Sequence, residues 1–325
     1  MSDMDELESY LAAHLEHPLE SPGRFTLDPK RQQAWLARAG LQDPLLGLLK
    51  LAQAAYLAGS PSLKFKVVGG QLACQFTPNS PPGNPSFAWT HREGHAWHAP
   101  LALALLTLAQ EFGLAWQWNW DHQAGEGDNQ GPGLRESPRA TSEEGRWFRL
   151  QISKTKIWWA RPWTQKARRL LQDRLAWMPM ATWWNEQSLI RPLLVPEKSP
   201  PKAEALVYAS PQEAGDLWLP AESQAKISQQ RGLEPADRVG PAILRGWGQL
   251  RSNGKSWSET TFVVHGVSLE SEPNLLDRPG ITAYLTGTGL NTDLSGLQLV
   301  HDQLFRERIH FFRPEVRWLD SIRTH

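Results

Sequence analysis

Three histidines, His91, His95 and His98, stand in the stretch HREGHAWH with metal-like spacing. Two histidines four residues apart can share a helical face and hold a cation between them. Here Glu93 falls one position late for the H-E-x-x-H arrangement, Gly94 interrupts the helix, and no cysteine lies nearby. A polar loop without metal is therefore expected. A second cluster runs from 149 to 174. Arg149, Lys154, Lys156, Arg161, Lys166, Arg168, Arg169 and Arg174 face one acid, Asp173, and alternate with Trp158, Trp159 and Trp163. Cations beside indoles suit single-stranded nucleic acid, through phosphate contacts and stacking. A solvated helix face has the same composition, so Trp158, Trp159, Trp163, Arg168 and Arg169 are taken as a candidate interaction surface, with nucleic acid disfavoured as its partner. For nucleophilic catalysis, Cys74 lies inside an apolar strand, where thiols are inert. There is no G-x-S-x-G elbow and no phosphate-binding glycine loop. Asp121-His122 and His301-Asp302 read as surface pairs. No complete catalytic set is present.

The elements that would position these residues follow from periodicity. Residues 1–20 carry six acids and no Lys or Arg, with Leu7, Leu11 and Leu15 every fourth residue: a short acidic amphipathic helix. Asp28-Pro29 opens a helix to Ala39, and Asp43-Pro44 opens LLGLLKLAQAAYLAG, apolar on nearly every face and so buried. A hairpin follows, Leu63–Val68 and Gln71–Phe76 around Gly69-Gly70. Pro100–Gly113 is another buried helix, leading into a strand in which Trp116, Trp118 and Trp120 share one face. Residues 123–145 are polar and Gly-rich and read as a mobile insertion. Arg146–Trp159 alternates as strand, Thr164–Trp177 as an amphipathic helix capped by Thr164, and Met178–Asn185 as a short strand. A Pro- and Lys-rich linker spans 191–204. Strands near 205–208, 261–268 and 280–286 and a helix near 300–311 make a second unit. The fold class is α+β, with a mostly antiparallel sheet covered by helices.

Composition limits the function classes. The 325 residues suffice for two domains, and the formal net charge of zero gives no global field toward nucleic acid or anionic membrane. One cysteine excludes an internal disulfide framework and fits a reducing compartment. The N-terminus lacks the order of a signal peptide, and the longest strongly apolar run, 100–109, is about half a bilayer span. A cytoplasmic protein without membrane partners is expected. Seventeen tryptophans are the oddity, and core and sheet packing is the plain explanation.

Three segments together resemble a known family. Leu45–Gly59 with the hairpin Ser62–Phe76 resembles the first helix and strands of the GHKL ATPase fold, in the variant of the ninety-kilodalton heat-shock chaperones. LLQDRLAWMPMATWWNE (170–186) resembles the end of that module, and HGVSLESEPNLLDRPGITAYLTGTGLNTDLSGLQLVHDQLF is similar to the chaperone middle domain. The resemblance implies a GHKL-like helix/sheet sandwich over 21–190, after the acidic helix 1–20, and a middle-domain-like α/β unit over 205–325. It also implies where nucleotide chemistry would sit. The first helix of the family presents a water-activating Glu and, four residues on, a Mg²⁺-holding Asn; Lys50 and Ala54 stand there. The adenine-reading Asp of D-x-G-x-G has no counterpart around Asn79, and the middle-domain Arg falls at His301. Base, metal ligand, adenine anchor and arginine are all missing.

The expectation is a pseudo-ATPase without cofactor or metal, acting as a scaffold or adaptor for protein partners in a bacterial complex. The acidic helix, the basic stretch and the His301 region are its candidate contact surfaces. The alternatives are a divergent ATP- and Mg²⁺-binding chaperone-like ATPase, with Glu93 or Asp121 replacing the lost acids, and a nucleic-acid binder using 149–174.

Overall fold

The computed structural model describes residues 43–80, 96–121, 123–129, 135–138, 145–153, 160–189, 204–208, 217–219, 242–244, 246–250, 257–276, 279–293 and 295–323. The acidic N-terminal segment, the helix expected over 28–39, His91, Glu93, His95, Trp158, Trp159 and the 191–203 part of the linker lie outside the described residues.

Asp43 starts the first element. Its carboxylate accepts the Leu45 N–H at 3.0 Å, and helix α1 runs Leu46–Leu57. Every residue from Gly47 to Ala55 is buried, as an all-round apolar helix requires. Helix α2, His98–Leu108, packs along it. A Cβ on Gly47 would come within 2.7 Å of the Leu108 side chain, so a glycine is what lets these two helices touch. Strands β1 (Ser62–Val68) and β2 (Gln71–Phe76) form the expected hairpin, with Gly69 and Gly70 both in the left-handed region its two-residue turn demands.

Strand β3, Gly113–Trp120, places Trp116 and Trp118 on the core side, Trp116 fully buried. Within the segment expected as a mobile insertion, two stretches are sheet: β4, Gln123–Asp128, pairs antiparallel with β3, and β5, Arg135–Pro138, pairs antiparallel with β4. Glycine and charge hid them. Gly125 pairs directly with Trp118, whose indole fills the space a side chain would occupy. A large residue on one strand and glycine on the next are one packing unit.

β6 (Arg146–Ser153) pairs with β2 and β3, and β7 (Ala181–Trp184) lies parallel to β1, followed by a short β8 (Gln187–Ser188). The strand order is β5-β4-β3-β6-β2-β1-β7-β8. Helix α3, Ala160–Arg174, begins four residues before the expected cap. Thr164 is thus a buried residue within the helix and not its cap. Leu48, Leu105, Phe76, Phe148, Leu171 and Trp184 belong to one continuous apolar core between helices and sheet.

The second unit contains β9 (Glu204–Tyr208), β10 (Leu217–Leu219), β11 (Ala242–Leu244), β12 (Gly246–Leu250), β13 (Glu259–Val264), β14 (Val267–Ser268), β15 (Glu272–Pro273) and β16 (Ile281–Thr286). Its main sheet runs β14-β13-β16-β12-β9, with β15 also on β13 and only the β13–β16 pair parallel. Helix α4, Gln303–Arg323, outlasts its expected end near 311 because it continues through Pro314. Asp302 caps it, accepting the Phe305 N–H at 3.0 Å. Phe305, Ile309 and Phe312 close a second core with Phe262 and Leu285. Among the described residues no helix is long and apolar enough to cross a membrane.

Candidate functional site

Two polar residues interrupt the apolar run of α1, and they sit three apart: Lys50 and Gln53. Both are buried. The Lys50 Nζ donates to Gln53 Oε1 at 2.7 Å, and Gln53 Nε2 donates to the Val264 carbonyl oxygen at 3.1 Å. That carbonyl ends β13, so the chain of hydrogen bonds runs from the first unit into the second. Burial drives the Lys50 ammonium down to about 7, and the Asp293 carboxylate pulls it partly back. The loop carrying Asp293 approaches so closely that a Cβ on Gly296 would lie 2.5 Å from the Lys50 Nζ.

The turn after Val264 completes the junction. His265 and Gly266 both take positive φ, 50° and 77°, which makes the β13–β14 connection tight. Its tip packs on the first unit. A Cβ on Gly266 would collide with the Met178 sulfur and the Pro179 ring, and Tyr56 lies 6.4 Å from His265 between ring centres. Val267 joins the core of the first unit, and Trp177 tilts against Tyr284 at 4.7 Å. At the rim, the Arg174 guanidinium donates to the Ser268 carbonyl at 3.2 Å and pairs with Glu270 at 3.3 Å. A cleft of about 80 Å³ remains there, lined by Leu46, Leu49, Arg174, Ser268, Glu270 and Ser295 among others. Pockets for drug-sized ligands are several times larger, roughly 300–1,000 Å³.

The other positions singled out from the sequence lead elsewhere. Ala54 is fully buried one turn beyond Lys50. Asn79 donates its amide to the Gly59 carbonyl at 2.9 Å and fastens the β2 exit to the end of α1. His301 stacks on Phe305 at 4.1 Å and lies 3.0 Å from Glu272, both within the second unit. The described residues of the basic stretch do not share one surface. Trp163 is buried against Phe112 at 4.8 Å, so it is a core residue and not a contact residue. Its place on the inner face of the amphipathic α3 accounts for this. Arg168 donates to Gln187 at 3.0 Å, Lys166 reaches Asp43 at 2.8 Å, and Arg169 stays exposed. His98 is buried at the start of α2 with its ring edge-on to Trp97 at 4.7 Å. Among the described residues no cluster of three or more His, Cys, Asp or Glu could hold a metal ion. Asp121 pairs with Arg146 at 3.2 Å. Burial pushes the Cys74 thiol far up, consistent with an inert residue.

Sequence reasoning missed Gln53, Asp293 and the His265-Gly266 turn, and assigned Arg174 to the basic stretch and not to this junction. Gln53 carried a signal, since a second polar residue at i+3 on a buried helix marks one inward-facing polar spot.

No family model matches the chain, and no curated protein matches it. Among solved structures, the B subunit of DNA gyrase from Myxococcus xanthus is similar, with a TM-score of 0.52 at 11% identity, over 88% of this chain and 91% of that one. At that identity the likeness concerns the fold alone. The fold is GHKL-like, a helix-covered mixed sheet followed by a second α/β unit.

Proposed function

We propose that this chain is a non-catalytic pseudo-ATPase of GHKL type, related in arrangement to the ninety-kilodalton heat-shock chaperones. On this reading it serves as a protein-interaction scaffold or adaptor in a bacterial complex. The observation that supports it is Lys50. The resemblance puts a water-activating carboxylate at this point of the first helix, and this chain has a buried amine hydrogen-bonded to Gln53. Phosphoryl transfer depends on positioning the nucleophile and neutralising charge around Mg²⁺. The Lys50 amine brings no carboxylate to order Mg²⁺ or orient the attacking water and is engaged with Gln53, and Ala54 offers no oxygen to a metal. The Gln53–Val264 bond and the packed turn at Gly266 hold the units together through the protein's own groups.

The test is calorimetric titration and thermal unfolding with ATP and ADP at millimolar concentration, with and without Mg²⁺. The proposal expects no heat and no change in unfolding temperature. Binding at a Kd near 1 mM or tighter would raise stability by mass action and would favour the divergent, nucleotide-binding ATPase instead.

A further inference from the structure

The eight-stranded sheet has an outer face, turned away from the helices, and its residues come from strands far apart in sequence. One row across it reads Trp183, Lys64, Gln75, Arg149 and Gln117, each paired with the next through β7, β1, β2, β6 and β3. The adjacent row reads Lys66, Ala73, Gln151 and Ala115. Lys64, Lys66 and Arg149 are exposed, Trp183 is 36% exposed, and the Arg149 guanidinium lies 4.1 Å over the Trp147 ring on the same face. Acids on these two rows begin only at β4, with Glu126 and Asp128, while Glu186 sits on the turn after β7. Among the described residues neither Lys64 nor Lys66 has an ion-pair partner.

From this placement we infer that the outer sheet face binds a single-stranded nucleic acid, with Lys64, Lys66 and Arg149 on successive phosphates and Trp183 stacking one base. Lys64 and Lys66 stand about 7 Å apart along β1, and Arg149 lies two strands away at about 10 Å. A polyanion with regularly spaced charges can meet all three. Trp183 is directly opposite Lys64, so one nucleotide can offer its phosphate to the ammonium and its base to the indole. Gln75, Gln151 and Gln117 supply amides between the cations. A protein partner would need an apolar patch at the centre of its footprint. Among the described residues the large apolar side chains on this face are Trp183, Val68 at the hairpin end, and Trp147, which is mostly buried and lies under the Arg149 guanidinium, too scattered to make such a patch. The contacts are to phosphate and base planes, so DNA and RNA should bind alike. Among the described residues, the cluster at 149–174 that suggested nucleic acid contributes Arg149 alone; the other two cations come from β1.

The experiment is fluorescence anisotropy of the full chain with labelled twelve-nucleotide single strands of DNA and RNA. The slope of log affinity against log salt should be about −2, as three phosphates require on a single strand. Lys64→Glu with Lys66→Glu should weaken binding at least about tenfold, and Trp183→Ala by about tenfold. Arg169→Glu, on α3, should change nothing. Equal binding of poly-glutamate, an unchanged affinity in Trp183→Ala, loss of binding in Arg169→Glu, or no binding of either oligonucleotide would each overturn the assignment.

Discussion

Lysines occupy two opposed settings on the first unit. At the junction, Lys50 is buried and hydrogen-bonded, with its pKa lowered to about 7 by desolvation. On the outer sheet face, Lys64 and Lys66 stand in water. One residue type thus serves two ends: an amine tied into a packed contact between units, and free positive charge on an open surface. The difference is set by what packs above each strand or helix. α1 is covered by α2, α3 and the β13–β14 turn, while the outer face of β1 is covered by nothing among the described residues. A lysine in an apolar helix is therefore informative only once its burial and partners are known.

Changing pH should separate the two settings most strongly. Unfolded, Lys50 keeps its proton up to its ordinary value near 10.5; folded, it releases it above about 7. Between those values the unfolded chain binds more protons, so stability should rise as pH climbs from 7 toward 10, and stay flat with respect to this group below 7. The span caps the gain at roughly 5 kcal/mol. Urea unfolding at pH 6 and pH 9.5 checks it. Lys50→Met should abolish most of the slope, whereas Lys64→Met should leave it intact and shift stability by less than about 0.5 kcal/mol.

Gly266→Val tests whether the turn seals the junction. The substitution forces a β-branched residue to φ 77° and drives its Cβ into Met178 and Pro179. Strain and overpacking together should cost about 3–4 kcal/mol. Denaturant midpoints report the loss at a contact that also includes Trp177 on Tyr284. A neutral outcome would mean that the units hold together without the turn.

Arg174→Ala addresses the rim, where the effect should be smallest. Its partner Glu270 is 82% exposed at the side chain, so the ion pair contributes little, and the Ser268 carbonyl can turn to water. A loss of about 1 kcal/mol is expected in the same unfolding measurement. A much larger loss would place the rim, and not Lys50 and Gln53, at the centre of the junction.

Much of the fold was legible because it is local. The Asp43-Pro44 opening, the Gly69-Gly70 turn and the apolar run of α1 each announce their geometry within a few residues. β4 and β5 were not legible, since their glycines make sense only beside Trp118. Trp163 was misjudged for a related reason: cations around it mask the inward side of an amphipathic helix. The site was half legible. Lys50 was singled out only through the family resemblance, and its partner chain ends at Val264, 211 residues beyond Gln53, where nothing local encodes the meeting. The outer face was illegible for the same reason, because its cations and its indole join only through strand register.

A pseudo-ATPase with Lys50 in place of the water-activating acid should not hydrolyse γ-labelled ATP: the purified full chain at millimolar ATP and Mg²⁺ should release phosphate no faster than buffer does, and Lys50→Met should change nothing. Mg²⁺-dependent release above that background, altered when Lys50 is replaced, would contradict this reading.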